Sequence, residues 1–350
     1  MDVIEATGDP RSIGRAIGER GAEAIHQAVM ATPQFQRLQV WHGTDRMAEL
    51  RAAARASYPE HLEEIAGIAE GAGVDEEALF IWNCRGDNDG LESTVDDACT
   101  SLLLPATDDH PATIAHNEDG APEFAGLCFM VRARPEKGPA FEAFCYPGML
   151  PGHAFGANEH GIVQTINHIR PGDRTVGVPR HIVSRAVLSA QSLEAALAIL
   201  ERTDRAAGFH HNIGDAASGR LFSVEAPASG CSVVEALTPM AHANHLVHEK
   251  FAGLKQLVTP SSEARQVRAE TVVGDLAAEP LSVLFDTAGE DLPVLCRGEV
   301  GSGDSYTLAT VLYQLSTARI ACAVHHGPAL APVVERVLPV HGGKERHAAE

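Results

Sequence analysis

The stretch Asp96-Asp97-Ala98-Cys99-Thr100-Ser101-Leu102-Leu103 marks an abrupt change in the character of the chain. It closes an acidic segment rich in turn-forming residues, residues 86–97, which predicts an exposed loop. Beyond it the pattern changes to short apolar runs, which are typical of strands. Cys99 therefore stands at the start of the first predicted apolar strand, directly behind a segment that we expect to be exposed.

Upstream of this switch the pattern is helical. A helix is predicted to open at Pro10 and to run over residues 10–31, and a second opens at Pro59. In the second, apolar residues recur at spacings of three and four, which places them on one helix face. We expect Gly71 and Gly73 to end that helix and Asp75-Glu76-Glu77 to begin a third, with acidic residues where the helix dipole favours them.

Downstream, many short strands dominate, with one clear amphipathic helix over residues 192–202 that opens on a serine cap. Regular alternation of strand and helix is missing, so the pattern favours an α+β class with antiparallel sheets over a doubly wound parallel sheet. The tail, residues 341–350, is expected to fray. The predicted strands cover residues 100–105, 113–116, 126–134, 140–146, 162–169, 221–226, 232–236, 307–313 and 319–324.

Composition excludes several classes of partner. The 350 residues carry 27 basic and 47 acidic side chains, a net charge of −20. Nucleic acids and anionic membranes need a basic footprint, so neither is an expected partner. The N-terminus has neither the basic region nor the apolar core of a secretory signal, and seven cysteines are ordinary usage. We therefore expect a reduced, cytoplasmic protein.

Metal and cofactor chemistry find little support in the motifs. The 18 histidines include the pairs His210-His211 and His325-His326, but no His-Glu-x-x-His motif and no Cys-x-x-Cys pair occur. The segment from Gly301 to Ser305 lacks the lysine of a phosphate-binding loop, and no Gly-x-Ser-x-Gly is present. We expect no cofactor and no metal. A metallohydrolase that uses the histidine pairs stays open as a lesser alternative.

Cys99 is the strongest candidate nucleophile. A single cleavage before it would make it a chain terminus, and the new α-amine would act as its base. Such an amine has an ordinary pKa of about 7.7–8.0, which suits a proton acceptor at neutral pH. The other six cysteines have the contexts of small buried hydrophobic residues.

The chain resembles the isopenicillin-N acyltransferase (acyl-CoA:6-aminopenicillanic acid acyltransferase) family of cysteine N-terminal nucleophile (Ntn) hydrolases over roughly residues 10–330. Ala98 takes the place of the glycine that usually precedes the cysteine. The motifs that carry the resemblance are, in order, Asp97-Ala98-Cys99-Thr100-Ser101, His116-Asn117-Glu118-Asp119, the segment from Gly156 to Ile162 that leads to Asn167, Ala243-Asn244-His245, and the segment from Ser305 to Thr310.

The resemblance implies a four-layer αββα sandwich of two antiparallel sheets. It also implies a precursor that cleaves itself between Ala98 and Cys99. The two fragments, a helical leader over residues 1–98 and a catalytic fragment over residues 99–350, would stay together as one structural domain.

The resemblance further implies roles for four residues. Cys99 would supply both the nucleophile and the α-amine base, and Asp119 would orient that amine. Asn244 would donate its amide to the oxyanion, with Asn167 as a second polar wall of that site. His116 and Tyr306 stand where relatives have arginine, so no role is carried over to either of them.

The implied activity is that of an amidohydrolase or acyltransferase. The substrate would be a small N-acyl amine or an acyl thioester, processed through a Cys99 thioester. The sequence does not distinguish hydrolysis from acyl transfer, and it leaves open whether the protein forms a homo-oligomer. A rival hypothesis is a binding protein that keeps the fold but is never cleaved.

Overall fold

A computed structural model describes residues 1–88, 98–273, 279–288, 292–328 and 331–341. Most of the predicted loop and tail, residues 89–97 and 342–350, lie outside these ranges. The nine helices of the described ranges are α1 (Pro10–Gln27), α2 (Pro33–Leu38), α3 (Asp45–Ser57), α4 (Pro59–Ala72), α5 (Glu76–Asn83), α6 (Arg180–Val187), α7 (Leu193–Glu201), α8 (Pro260–Val273) and α9 (Pro280–Leu284).

Fourteen strands within the described ranges form two sheets. The larger sheet has the order β1-β4-β5-β6-β7-β8-β9-β10 and the smaller one the order β11-β2-β3-β12-β13-β14. The strands are β1 (Val3–Gly8), β2 (Ala98–Leu104), β3 (Ala112–Gly120), β4 (Phe129–Pro135), β5 (Phe141–Cys145), β6 (Phe155–Asn158), β7 (Ile162–His168), β8 (Phe209–Asp215), β9 (Arg220–Ala226), β10 (Ser232–Glu235), β11 (Met240–His242), β12 (Tyr306–Ser316), β13 (Arg319–His325) and β14 (Val334–Pro339).

The predicted α+β class is confirmed. All strand pairs within the two sheets are antiparallel except β1 with β4. The two sheets face each other where β2 contacts β7 and β9. The outer face of β2 and β3 packs through Leu102, Leu104 and Ala115 against α8 and α9. Helices α1 and α7 lie on strands of the larger sheet, which completes the order helix, sheet, sheet, helix.

The leader is not purely helical as predicted, because it begins with strand β1. Strand β1 runs parallel to β4 at the edge of the larger sheet, with Val3 opposite Met130. Strand β1 has only six residues, and three of them are half-buried, so its sequence shows no clear strand pattern before the first helix. Apolar side chains of residues 1–88 and of the later strands belong to one continuous core.

The prediction that Gly71 ends the second helix is wrong, since Gly71 lies inside α4 and only Gly73 caps it in the left-handed conformation. Gly71 instead permits a close helix crossing. A methyl group there would lie 2.1 Å from the backbone oxygen of Arg15 on α1. Gly14 and Gly18 on α1 and Gly67 on α4 meet the opposite backbone at similar distances, 2.0, 2.2 and 2.1 Å.

The first residues of the predicted loop are also not exposed as predicted. Gly86 and Asp87 are buried. The Asp87 carboxylate accepts the backbone N–H of Arg180 at 3.1 Å, at the start of α6. Burial raises the pKa of Asp87 to about 7, against the opposing charge of Arg180. The sequence does not predict the burial of Asp87 because its partner, Arg180, is 93 residues away in the chain.

No helix among the described residues is long and apolar enough to cross a membrane.

Candidate active site

The pairing of β2 with β3 builds the site. Cys99 lies opposite Glu118, Ser101 opposite His116, and Ala98 opposite Asp119. Because side chains alternate along a strand, Cys99, Ser101, His116 and Glu118 share one face, while Ala98 and Asp119 lie on the other. The first face turns toward the larger sheet, and the second turns toward the helices beyond.

On the inner face a chain of hydrogen bonds leads away from the sulfur. The Cys99 thiol lies 3.4 Å from Oε2 of Glu118, and the same oxygen lies 3.2 Å from Nε2 of His116. Nδ1 of His116 lies 2.8 Å from the Ser101 hydroxyl. The hydroxyl of Tyr146 donates to the other Glu118 oxygen at 2.7 Å. All of these residues are buried.

On the outer face, one of the two carboxylate oxygens of Asp119 has a hydrogen-bond partner among the described residues and the other has none. Its Oδ1 accepts the Thr307 hydroxyl at 2.5 Å. Its Oδ2 is buried and has no hydrogen-bond partner among the described residues. Burial raises the pKa of Asp119, while the nearby charge of Arg265 opposes that effect. A carboxylate oxygen in this condition offers a place for a hydrogen-bond donor next to the start of β2.

The backbone of Cys99 is held from the helix side. Its N–H donates to Oδ1 of Asn244 at 2.8 Å. Arg265 on α8 donates to the same oxygen at 2.7 Å and to the Cys99 carbonyl at 2.5 Å. The Asn244 amide nitrogen donates to the carbonyl of His168 at 3.0 Å. Since an amide carries two N–H groups, this bond uses one of them.

Asn167 does not contact Cys99 in the hydrogen bonds of the described residues. Its Oδ1 accepts the Ser101 hydroxyl at 2.7 Å and lies 3.1 Å from Nδ1 of His210. Its amide donates to the carbonyl of His242 at 3.0 Å. The structure thus places Asn167 behind Ser101, in a polar layer where the rings of His210 and His242 stack at 3.3 Å. Its predicted part in the oxyanion site stays a prediction.

Burial dominates the electrostatics of the thiol and the imidazole. Burial raises the pKa of the Cys99 thiol, and the charges of Glu118 and Asp119 add to that shift, while a hydrogen bond from the His168 backbone opposes it. Burial lowers the pKa of His116 to about 3. In the continuous chain the thiol and the imidazole are therefore both neutral at pH 7.

A cavity of about 400 Å³ adjoins the helix side of the site. Ser261 and Cys296 line this cavity, and each forms a hydrogen bond with a residue that itself contacts the site. Ser261 accepts from Arg265 at 3.2 Å, and the Cys296 N–H donates to Thr307 at 3.0 Å. Tyr306, whose role the sequence left open, lies opposite Gly120 at the start of β12, with 36% of its surface exposed.

Within the described ranges, potential metal ligands gather at Cys99, His116 and Glu118, whose ligand atoms lie within 4.8 Å of one another. The predicted histidine pairs are not part of this group. The contacts at Glu118 are those of a hydrogen-bonded set, since one carboxylate oxygen already serves both the thiol and the imidazole. We therefore treat the three as a proton-sharing set.

Sequence reasoning missed Glu118, Tyr146 and Arg265. Alternation along β3 places Glu118 and Asp119 on opposite faces, but the register of β3 against β2 decides that Glu118 shares the face of Cys99. Tyr146 and Arg265 carried no local signal. Arg265 is 166 residues from Cys99 in the chain, and only the docking of α8 brings it to the site.

Two sheets packed between helices, with a cysteine near the start of β2, form a sandwich of the Ntn type. The chain is a member of the acyl-coenzyme A:6-aminopenicillanic acid acyl-transferase family, whose family model matches residues 106–328, more than half of the sequence. The match includes the His116-Asn117-Glu118-Asp119 motif, Asn167 and Asn244, and begins after Cys99.

One curated relative is similar to the chain, the Drosophila melanogaster protein named beta-alanyl-dopamine/carcinine hydrolase. The two are 26% identical over 170 residues. The matched segment covers 44% of this chain and 43% of the relative, so the similarity spans less than half of either protein.

Proposed function

We propose that the protein is a self-processing cysteine amidohydrolase or acyltransferase, with Cys99 as the nucleophile. The observation that carries this proposal is the pair of groups that flank the Ala98–Cys99 bond. The thiol of Cys99 lies on one face of β2, and the unpartnered Asp119 oxygen lies on the other, opposite Ala98. Cleavage of that bond would create an ammonium group where Asp119 needs a donor.

Maturation converts the continuous chain into two fragments. The Cys99 sulfur attacks the carbonyl carbon of Ala98, and the C–N bond breaks to leave a thioester and a free α-amine. Water then hydrolyses the thioester, which releases residues 1–98 with a new carboxylate and regenerates the thiol. In this scheme the Ala98 side chain matters little, so that alanine can take the place of glycine.

In turnover the α-amine of Cys99 accepts the thiol proton, and the sulfur attacks the substrate carbonyl. The resulting thioester passes its acyl group to water or to an amine, which is a ping-pong scheme. Asp119 orients the amine. The second N–H of Asn244 and the backbone N–H of His168, which contributes a hydrogen bond to the Cys99 thiol, are our candidate donors for the oxyanion. One such donor is worth about 10²–10³ in rate.

We propose that the leader stays bound after cleavage, so that the two fragments form one structural domain. Its strand β1 is part of the larger sheet. Nε of Arg185 on α6 donates to the buried Glu64 on α4 and shares its N–H between the two carboxylate oxygens, at 3.1 and 3.2 Å. Asn83 bridges in the same way, since it donates to Gly148 and accepts from Leu150 at 2.9 Å each.

For the substrate we propose a small N-acyl amine. The name of the Drosophila relative places beta-alanyl-dopamine and carcinine first among the compounds to test. Both hydrolysis and transfer of the acyl group are consistent with a thioester intermediate. We also propose a cytoplasmic location, since all seven cysteines are free thiols, the state that a reducing compartment maintains.

The test is to follow the purified chain by denaturing electrophoresis and intact mass. We expect wild type to yield two fragments, the smaller ending at Ala98, and Cys99→Ala to stay as one chain because alanine has no nucleophile. A wild type that stays uncleaved, or a Cys99→Ala variant that cleaves, contradicts the proposal. An adduct of the acyl group on residues 99–350 after incubation with beta-alanyl-dopamine would establish the nucleophile in turnover.

A further inference from the structure

We propose that Glu118, coupled to His116, is the catalytic base of maturation, and that the α-amine replaces it only after cleavage. This inference rests on the proposed self-processing. Before cleavage the Cys99 nitrogen is an amide whose N–H already donates to Asn244, so it cannot accept the thiol proton. The side-chain acceptor that the Cys99 sulfur contacts at hydrogen-bonding distance is Oε2 of Glu118, at 3.4 Å.

The hydrogen-bond network determines where the protons lie between Glu118 and His116. Asn167 donates through its amide nitrogen to a backbone carbonyl, that of His242, which fixes its oxygen toward Ser101. Two oxygens 2.7 Å apart need a proton between them, and the Asn167 oxygen can only accept. The single proton of the Ser101 hydroxyl therefore points to Asn167.

His116 must then donate to Ser101 from Nδ1. Its Nε2 carries either a lone pair or a second proton, and it lies 3.2 Å from Oε2 of Glu118. A carboxylate and a lone pair would repel at that distance, so one proton lies between the two groups. Tyr146 holds the opposite carboxylate oxygen at 2.7 Å, which keeps Glu118 aimed at both the thiol and the imidazole.

The step then balances as a proton relay. The S–H bond of Cys99 breaks and its proton moves to Oε2 of Glu118, while the shared proton settles on Nε2 of His116. The sulfur bonds to the carbonyl carbon of Ala98. As the C–N bond breaks, the pair returns one proton to the leaving nitrogen of Cys99, which becomes the α-amine. Water, the co-reactant, then hydrolyses the thioester. Burial lowers the pKa of His116, and the charge of the buried Asp119 partly offsets that effect and so favours the transient imidazolium.

The two carboxylates at this junction serve two reactions, Glu118 as the base of maturation and Asp119 as the group that orients the α-amine in turnover. Glu118 faces the sulfur, the atom that loses a proton when the chain is continuous. Asp119 lies on the opposite face, toward the helix side from which the Cys99 nitrogen is held, and that nitrogen becomes basic only when the chain is cut.

The experiment measures the rate of self-cleavage in freshly synthesised chain after translation is stopped. Glu118→Gln keeps the size of the side chain and a contact for Tyr146 but cannot accept the proton. We expect cleavage to slow by about 10²-fold or more, since general bases contribute about 10²–10⁴. Glu123→Gln, a partly exposed glutamate just after β3, is the matched control and should cleave at the wild-type rate.

Hydroxylamine identifies the blocked step, because it cleaves thioesters. If Glu118→Gln is arrested before the acyl shift, hydroxylamine leaves the chain intact. If hydroxylamine restores cleavage, the thioester had already formed and Glu118 is not the base. Urea unfolding midpoints, measured in the Cys99→Ala background, show whether the variant folds. If it does not, Ser101→Ala replaces it, since loss of that hydroxyl frees His116 to reorient and should slow cleavage as well.

Turnover separates the two bases. Once matured, Glu118→Gln should lose less in kcat per mature site than it loses in the rate of self-cleavage, because the α-amine then accepts the thiol proton. A wild-type cleavage rate in Glu118→Gln, or an equal loss in maturation and turnover, overturns this inference but leaves the proposed function standing. If the wild-type chain never cleaves itself, both this inference and the proposed function are wrong.

Discussion

The crossing of α1 and α4 allows a test with one type of substitution, glycine to alanine. We expect it to lower the free energy of unfolding at one position of α1 and to raise it at another. Gly18 and Gly21 are both buried in α1. A methyl group at Gly18 would lie 2.2 Å from the backbone oxygen of Ile68 and 2.9 Å from the nitrogen of Ala72. At Gly21 the nearest atom is a side-chain carbon of Ile25 at 3.4 Å, which is ordinary contact.

The expected magnitudes follow from these distances. Gly→Ala inside a helix gains about 0.8–1.0 kcal/mol of helix propensity. Because a methyl group at Gly21 meets only ordinary contacts, Gly21→Ala should gain nearly all of this stability. At Gly18 the helices must move apart by roughly 1 Å to reach van der Waals contact, and overpacking costs about 1–3 kcal/mol and occasionally more. Since the obstacle is backbone, which cannot rotate away, we expect a net loss of about 2 kcal/mol.

The assay is urea unfolding followed by circular dichroism, with both variants made in the Cys99→Ala background so that each is a continuous chain. The two free energies of unfolding should differ by about 3 kcal/mol, with Gly18→Ala below and Gly21→Ala at or above the parent. Equal stabilities would refute the inferred close crossing. A destabilised Gly21→Ala would show that the contacts of α1 with the Pro147 segment are tighter than described.

Two further outcomes are expected. Arg185→Met leaves Glu64 buried without its partner and should lower the free energy of unfolding by about 3–5 kcal/mol at neutral pH. Burial already raises the pKa of Glu64 above its ordinary 4.5. Because an acid with a raised folded-state pKa destabilises the fold as pH rises above its unfolded-state pKa, the deficit should shrink as pH falls toward 4.5 and be smallest below it. A pH-independent deficit contradicts this assignment. Asn244→Asp keeps an oxygen that accepts from Cys99 and Arg265 but removes the amide donor. We expect the rate of self-cleavage, measured by electrophoresis, to fall by about 10²–10³-fold. An unchanged rate would assign the oxyanion site to other donors.

Patterns of short range were enough to predict much of the fold. The helices that open at Pro10, Pro59 and Glu76 and the strands β2, β4, β5 and β7 follow from periodicity and capping residues. Strand β1 was missed because a parallel edge strand depends on a partner more than 120 residues away, β4. The interior position of Gly71 was missed because a glycine that admits a second helix has the same local sequence as one that ends a helix.

The sequence by itself determined the α+β class, the position of Cys99 at the start of a strand, and the carboxylates of the His116-Asn117-Glu118-Asp119 motif, because alternation and turn chemistry are local properties. Only the tertiary structure decided which face each carboxylate takes relative to the sulfur, and it alone brought Asn244 and Arg265 to Cys99. The physical reason is that these contacts join segments 145 and 166 residues apart, and such pairings are selected by the burial of whole helix and sheet faces rather than by any neighbour in the chain.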